Sequence, residues 1–166
     1  MSETLISRMN RGKDFILVEE RPEFAAGAHF VENHSETDDL RIVLLGMSFT
    51  NCFVPVVEGR VPATEMISYR VESRATDREL VAEIGTVQPA KLSQILWLMK
   101  RQPHGETGPL RTKYAQNIFP VRCIHGDILN VCVSYHANEA GWHVIAIRKD
   151  HQEICFPGAQ ILVPKA

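Results

Sequence analysis

The last third of the chain alternates apolar and polar positions with a period of two residues, which is the pattern of a half-buried strand. In residues 128–136 the apolar set is Leu129, Val131, Val133 and Tyr135. Similar runs recur between short turn segments, and strands are predicted at residues 118–124, 128–136, 142–148, 153–156 and 160–163. Because strands joined by short polar links form hairpins, this third is predicted to be an antiparallel meander.

The middle of the chain has a helical period instead. Residues 76–79 read Thr-Asp-Arg-Glu, which is the spacing of a capping box. Gly85 is a suitable helix stop, and Pro89 is predicted to open a second helix. The second helix has one apolar stripe, formed by Leu92, Ile95, Leu96 and Met99. Two consecutive helices are therefore predicted between the early and the late strands.

The first half of the chain contains further strand candidates. Residues 40–50 are apolar on both alternating faces, which predicts a central strand covered on each side. Residues 52–57 continue this run, but Pro55 lacks an amide hydrogen, so this part is predicted to lie at a sheet edge. Shorter strands are predicted at residues 14–19 and 65–72.

Two segments of the first third carry little apolar patterning. Residues 1–13 are polar and mildly basic and are predicted to form a loose N-terminal arm. Residues 20–39 form a long acidic connection, which is uncommon in a compact domain unless it is functional. Its histidines and carboxylates are interpreted as side chains of a solvated loop, because their spacing is not that of an ordered metal site.

These patterns predict one α+β domain over residues 1–166. Its sheet is expected to be mixed and mostly antiparallel, with a C-terminal meander and with both consecutive helices packed on one face. A length of 166 residues, of which 45% are hydrophobic and 23% charged, suits a single self-sufficient core. The formal net charge of -2 gives no overall attraction to nucleic acid or to anionic lipid.

Targeting and cofactor motifs are missing from the sequence. The N-terminus lacks the apolar run of a signal peptide, and no stretch approaches the roughly 20 apolar residues that span a bilayer. A soluble, cytoplasmic protein without membrane contact is therefore expected. The sequence also contains no phosphate loop, GxGxxG turn, HExxH helix or GxSxG elbow, so no cofactor is predicted.

The cysteines and histidines of the C-terminal sheet suggest a metal site at first sight. A turn centred on Gly126-Asp127 pairs Cys123 with Asn130 and Val121 with Cys132 in the predicted hairpin. The non-core face then carries the ligand types of a zinc site, namely Cys123, His125, Cys132 and His136. Alternate residues of a strand lie about 7 Å apart, however, so these donors do not converge on one ion and no metal site is predicted.

The same face carries a nucleophile hypothesis. Cys132 is predicted to approach His136 or His143 across the hairpin at residues 138–141, and Asp127 or Asp150 is available to orient an imidazole. A reactive cysteine needs a lowered thiol pKa, from a nearby imidazolium or from a helix N-terminus. None of the four cysteines opens a predicted helix, so the simpler expectation is four buried, inert thiols. Cys132, His136 and His143 are the catalytic candidates.

Basic residues concentrate between the second helix and the meander. The candidate contacts for a ligand or a partner are Trp97, Lys100, Arg101, Arg111 and Lys113. Basic side chains neutralise phosphates and neighbouring aromatic rings stack on bases, so nucleic acid is one candidate partner. The cluster is sparse, and Lys100 and Arg101 also suit the C-terminal end of a helix, so nucleic-acid binding is not favoured.

The leading functional hypothesis is a small non-enzymatic binding module. It would recognise a protein partner or a small ligand through its loops or through the edge strand near Pro55, since recognition residues usually lie on loops of a rigid scaffold. A homodimer through that edge or through a helix face is a related hypothesis. The alternatives are a small hydrolase or transferase that uses the Cys/His residues and, third, a nucleic-acid-binding accessory protein.

Overall fold

A mixed sheet runs through the body of the protein in the computed structural model, which describes residues 9–12, 15–33, 40–113, 115–148 and 151–165. The strands of the described residues are β1 Met9–Arg11, β2 Ile16–Val18, β3 Phe24–Ala25, β4 Ile42–Leu45, β5 Val57–Glu58, β6 Thr64–Val71, β7 Ala75–Thr76, β8 Asn117–Arg122, β9 Ile128–His136, β10 Gly141–Ile147, β11 Ile154–Cys155 and β12 Gln160–Pro164. The helices are α1 Ala26–His29, α2 Met47–Phe53, α3 Asp77–Ile84 and α4 Leu92–Lys100.

The main sheet has the order β1-β6-β12-β8-β9-β10-β4, and β2 also pairs with β6. Most neighbours are antiparallel, but β12 is parallel to β8 and β10 is parallel to β4. The two remaining pairs, β3 with β5 and β7 with β11, lie outside this sheet. The α+β class and the mostly antiparallel, mixed sheet are therefore confirmed.

The C-terminal meander is confirmed for three strands. β8, β9 and β10 follow one another as antiparallel neighbours. β11 then leaves the sheet to pair with β7, and β12 returns between β6 and β8. The last two predicted strands thus exist, but they do not continue the meander, because a short apolar run does not reveal which neighbour it will pair with.

The two consecutive helices do not share one face of the sheet, which corrects the predicted packing. α4 contributes Leu92 and Ile95 to a core cluster with Phe119 of β8 and Val131 of β9. α3 contributes Leu80 to a separate cluster, which contains the alternate residues of the same strands. Successive strand residues point to opposite faces, so the sheet is covered by α4 on one side and by α3 on the other.

The capping box and the glycine stop predicted for the first helix are confirmed. Glu79 N–H donates to the Thr76 hydroxyl at 3.2 Å, and the Glu79 carboxylate accepts from Thr76 N–H at 3.0 Å. Gly85 follows α3 with a φ of 89°, which favours glycine. α4 begins at Leu92 and not at Pro89, because Ala90 N–H donates to the Pro120 carbonyl at 2.8 Å and keeps the chain extended up to that point.

Residues 40–50 do not form a central strand. β4 ends at Leu45 and lies at the edge of the sheet, and α2 follows at once. The side chains of Phe49 and Phe53 are fully buried. Their spacing of four residues places them on one helical face, so the apolar run that suggested a strand also fits a helix. The predicted extended segment 52–57 begins inside α2, and Pro55 lies in the turn before β5.

The two shorter strands predicted in the first half of the chain are present. The strand predicted at residues 14–19 is found as β2, and the strand predicted at residues 65–72 is found as β6. The predicted loose arm includes β1, which pairs with β6, while residues 1–8 lie outside the described part. The acidic connection 20–39 contains β3 and α1, and its residues 34–39 lie outside the part of the chain that the structure describes.

Among the described residues, no helix has the length and apolar character needed to cross a membrane.

Candidate functional site

The pairing of β8 with β9 decides which cysteines and histidines share a face. Cys132 lies opposite Ile118, three residues from the predicted partner Val121. Cys123 N–H donates to the Asp127 carbonyl at 2.7 Å, and Gly126 has a φ of 93°, so a three-residue loop with a left-handed glycine replaces the predicted two-residue turn. A shift by an odd number of residues exchanges the two faces of a strand.

The prediction that Cys123, His125, Cys132 and His136 share one face is therefore wrong. Cys123 lies in the core cluster on the α4 side, and Cys132 lies in the cluster on the α3 side. The exposed His125 belongs to the β8–β9 loop. The four donors that the sequence placed on one face are distributed over two faces and a loop, and they do not form a common site.

Cys132 is buried, and it is far from His136, one of the two histidines with which it was predicted to act. It is 2% exposed, and burial, with smaller contributions from Cys155, Glu153 and Asp77, raises the pKa of its thiol well above the usual value. His136 lies four residues further along β9, which corresponds to about 13 Å of strand. The fold thus keeps Cys132 protonated and inside the core. Asp150 lies outside the described residues.

The two candidate histidines do come together. His136 ends β9 and pairs with Gly141, while His143 of β10 pairs with Ser134, so both imidazoles extend from the same face at the turn end of the β9–β10 hairpin. The rings stack with their centroids 3.5 Å apart and their planes 14° apart. The structure therefore joins two of the three residues predicted as catalytic.

Glu139, in the turn that connects these strands, completes the group. The turn is closed by Glu139 N–H donating to the His136 carbonyl at 3.1 Å. The Glu139 carboxylate makes a short hydrogen bond with His143 Nε2. That bond holds the pKa of Glu139 below its usual value, assisted by the charges of His143, His136 and Arg41. Glu139 is thus an ionised carboxylate next to two imidazoles.

The three side chains form a cluster with the ligand types of a metal site. One donor atom from each of His136, Glu139 and His143 lies within 4.8 Å of the other two. Burial, followed by the neighbouring His143, lowers the pKa of His136, while Glu139 acts in the opposite direction. The neutral imidazole is the form that binds a metal. The Ser134 hydroxyl lies 3.1 Å from His136 Nε2 and fixes the orientation of that ring.

A cavity of about 600 Å³ opens beside this cluster. We call it the hairpin cavity. Its lining includes Thr112, Lys113, Ala115, Gln116 and residues 134–139. The Tyr135 ring packs edge-on against the buried Trp142 ring, with a centroid distance of 5.5 Å. His136 and Glu139 therefore stand at the rim of a space large enough for a small organic molecule.

The residues predicted as ligand or partner contacts do not form one patch. The Arg101 guanidinium lies 4.6 Å from the centre of the half-buried Trp97 ring. Lys100 lines a different cavity of about 780 Å³, together with His29 and His104. Arg111 and Lys113 line another space, and Lys113 also lines the hairpin cavity. The basic concentration in the sequence is thus divided over separate surfaces.

Glu139 is the functional candidate that the sequence did not reveal. Residues 138–141 were interpreted only as a turn, and the spacing His136, Glu139, His143 resembles no regular motif on a helix or a strand. The available signal was the hairpin itself, because a four-residue turn brings its own side chains over the last pair of strand residues. Combining the two histidines with the turn carboxylate would have predicted the cluster.

Comparison of the chain with protein-family models, with curated proteins and with solved structures gives no match. No activity of a relative therefore bears on the hairpin cluster. Its chemistry follows from its donors, its exposure and the cavity beside it.

Proposed function

We propose that this protein is a binding module that holds one divalent transition-metal ion between His136, Glu139 and His143 and receives a small ligand in the hairpin cavity. The observation that carries the proposal is the convergence of two imidazoles and one carboxylate within 4.8 Å. Two histidines and an acidic residue are a common protein ligand set for zinc and for iron(II). Three protein donors leave a coordination position for an oxygen or nitrogen atom of the ligand.

The surroundings of the cluster support metal binding by a binding module. Ser134 supplies the kind of outer hydrogen bond that orients a ligating histidine. Arg41 is close enough for its positive charge to lower the pKa of Glu139, and this charge reduces the affinity for a cation while favouring an anionic ligand. The donors lie at the surface, where an ion exchanges readily. These features fit a site that binds a metal together with an anionic ligand better than a closed structural zinc site.

Metal titration of the untagged, EDTA-treated protein tests the proposal. Zn²⁺ is followed by calorimetry and Co²⁺ by its visible absorption, which reports the coordination geometry. We expect one equivalent to bind, and we expect His143→Gln or Glu139→Gln to weaken the affinity at least about tenfold. The matched control is His125→Gln, which removes an exposed histidine from the β8–β9 loop.

The control separates a built site from general histidine chemistry. Unchanged binding in His125→Gln, together with weakened binding in the two hairpin variants, supports the proposal. Absence of saturable binding, or an equal loss in His125→Gln, would overturn it. Thermal unfolding of each variant without metal verifies that the substitutions leave the fold intact.

A hydrolytic site is the second candidate function. It is favoured by the hydrogen bond between the Ser134 hydroxyl and His136 Nε2, which is the contact of a serine nucleophile with its base. Here Ser134, and not Cys132, takes the place of the nucleophile. Labelling by a fluorophosphonate probe, abolished in Ser134→Ala, would support this function, and an unlabelled wild-type protein would exclude it.

A further inference from the structure

A second space, which we call the basic cleft, adjoins the hairpin cavity. It has a volume of about 400 Å³ and shares Thr112, Lys113 and Ala115 with the hairpin cavity. Its other lining residues are Arg70, Thr107, Gly108, Leu110, Arg111, Pro157 and Gly158. One small molecule is therefore able to contact both spaces at once.

The charge of the basic cleft favours an anion. Arg70, Arg111 and Lys113 bring three cationic groups to its wall, and Thr107 and Thr112 add hydroxyl donors. Glu72 approaches one of these cations, with its carboxylate 3.9 Å from Arg70 Nε, and both side chains are well exposed. An exposed pair at that distance is weak, so a bound anion competes with it easily.

The loop that carries these residues is held in place from inside the protein. Gln102, Asn117 and Gln160 are at most 5% exposed, and their side-chain amides are hydrogen-bonded. Gln102 bonds both the N–H and the carbonyl of Leu110, at 2.8 and 2.9 Å. Asn117 does the same for Arg111, at 2.7 and 2.9 Å.

Three further hydrogen bonds complete this support. Gln160 donates to the Pro109 carbonyl at 2.8 Å and to the Asn117 side-chain oxygen at 2.7 Å. Trp142 Nε1 of β10 donates to the main-chain carbonyl of Gln102 at 3.2 Å. These buried side-chain amides pair with backbone N–H and carbonyl groups of the loop. They therefore fix the conformation of a segment that is neither helix nor strand. A preorganised loop lowers the entropic cost of binding a ligand.

We propose that the basic cleft binds the phosphoryl group of a small phosphate monoester, whose remaining part lies in the hairpin cavity. A phosphoryl group offers several acceptor oxygens to guanidinium, ammonium and hydroxyl donors, whereas a carboxylate offers only two. Tyr135 in the hairpin cavity provides an aromatic surface for the organic part. The assignment names the ligand class of the proposed binding module, but phosphoryl binding itself does not require the metal.

The test uses the metal-free, EDTA-treated protein, so that its result is independent of the metal titration. Inorganic phosphate and phenyl phosphate are titrated at constant ionic strength while amide resonances are followed by NMR. We expect saturable shifts centred on Gly108 and Gly158, and tighter binding of phenyl phosphate than of inorganic phosphate. Arg111→Gln and Lys113→Gln are each expected to weaken binding about five- to tenfold.

The matched control is Lys100→Gln, which removes one positive charge from an exposed lysine of a different cavity. It is expected to leave the affinity unchanged. Shifts that do not saturate, or an equal loss of affinity in Lys100→Gln, would overturn the phosphoryl site. Equal affinities for the two probes would overturn the placement of the organic part. If the phosphate probes bind as expected but the metal titration fails, the phosphoryl site is supported and only the proposed metal site is overturned.

Discussion

The imidazole rings of His136 and His143 lie face to face at the turn end of the β9–β10 hairpin, with their centroids 3.5 Å apart. A coordinated metal ion lies in the plane of each imidazole that binds it. Two planes that differ by only 14° have no common point near both rings. The rings must therefore tilt apart before they share an ion, so the stack is the metal-free arrangement of the proposed site.

Loss of this stack is the first prediction. Saturation with Zn²⁺ is expected to weaken the nuclear Overhauser contacts between protons of the His136 and His143 rings, because both rings turn toward the ion. The ring resonances of His125 serve as the internal control and should remain unchanged. Stoichiometric binding with the ring contacts intact would contradict metal ligation by both imidazoles.

Removal of the Ser134 hydroxyl is expected to weaken metal binding without abolishing it. Ser134 contacts His136 at 3.1 Å, and loss of a side chain that hydrogen-bonds a ligating histidine typically costs about 10- to 100-fold in metal affinity. Ser134→Ala and the control Ser73→Ala, an exposed serine remote in sequence from the hairpin, are compared by calorimetry. If the two variants bind Zn²⁺ equally well, Ser134 has no role in orienting the ring.

Stability at alkaline pH should report the buried state of Cys132. Burial raises the pKa of this thiol in the folded protein above its ordinary value of 9.0. Below that value the thiol is protonated in both the folded and the unfolded chain, so it adds no pH dependence there. As the pH rises above about 9, the unfolded chain gains stability by releasing the proton, and the free energy of unfolding falls by at most about 1.4 kcal/mol per pH unit.

The measurement is urea unfolding at pH 8 and at pH 10 for the wild type and for Cys132→Ala. The variant is expected to be less stable at pH 8, because it loses buried volume, but to lose less stability between the two pH values. An identical pH dependence in both proteins would show that Cys132 is already ionised or accessible when folded. Rapid alkylation of Cys132 by iodoacetamide at pH 8 would lead to the same conclusion.

Glu58 is expected to be the carboxylate on which the start of α4 depends. It is 8% exposed, and its two oxygens accept from Leu92 N–H at 2.8 Å and from Ser93 N–H at 2.9 Å. Glu58→Gln replaces one acceptor by a donor that faces a backbone N–H. We expect a loss of about 1–3 kcal/mol in the free energy of unfolding, measured by urea denaturation.

The control for this variant is Glu65→Gln. Glu65 is exposed and pairs with Lys165 at 3.1 Å, so its substitution is expected to cost less than about 1 kcal/mol. Similar losses in both variants would indicate that the buried position of Glu58 gives it no special role.

The parts of the fold that could be predicted are those with local causes. The capping box at Thr76 and Glu79 depends on atoms three residues apart, and the apolar face of α4 depends on residues within two turns. The turn between β8 and β9 is also local, but glycine at position 126 suits loops of two or three residues. The choice between these two loop lengths decides whether Cys123 and Cys132 lie on the same face of the sheet.

The candidate site was predictable only in part for a related reason. His136 and His143 were linked by the hairpin, and their meeting followed from strand pairing. The inclusion of Glu139 depends on the direction that a turn side chain takes, which no hydrophobic pattern encodes. The basic cleft depends on a loop whose conformation is fixed by amides from Gln102, β8 and β12, which are far apart in sequence.

The bond from Trp142 Nε1 to the Gln102 carbonyl has a consequence for the speed of binding. Gln102 also holds the loop at Leu110, so the loop cannot swing away from the hairpin without breaking both attachments. A ligand would therefore meet a cleft that is already open and would not wait for a gating motion. Its association rate would be set by diffusion and electrostatic attraction to Arg70, Arg111 and Lys113, and it would fall as ionic strength rises.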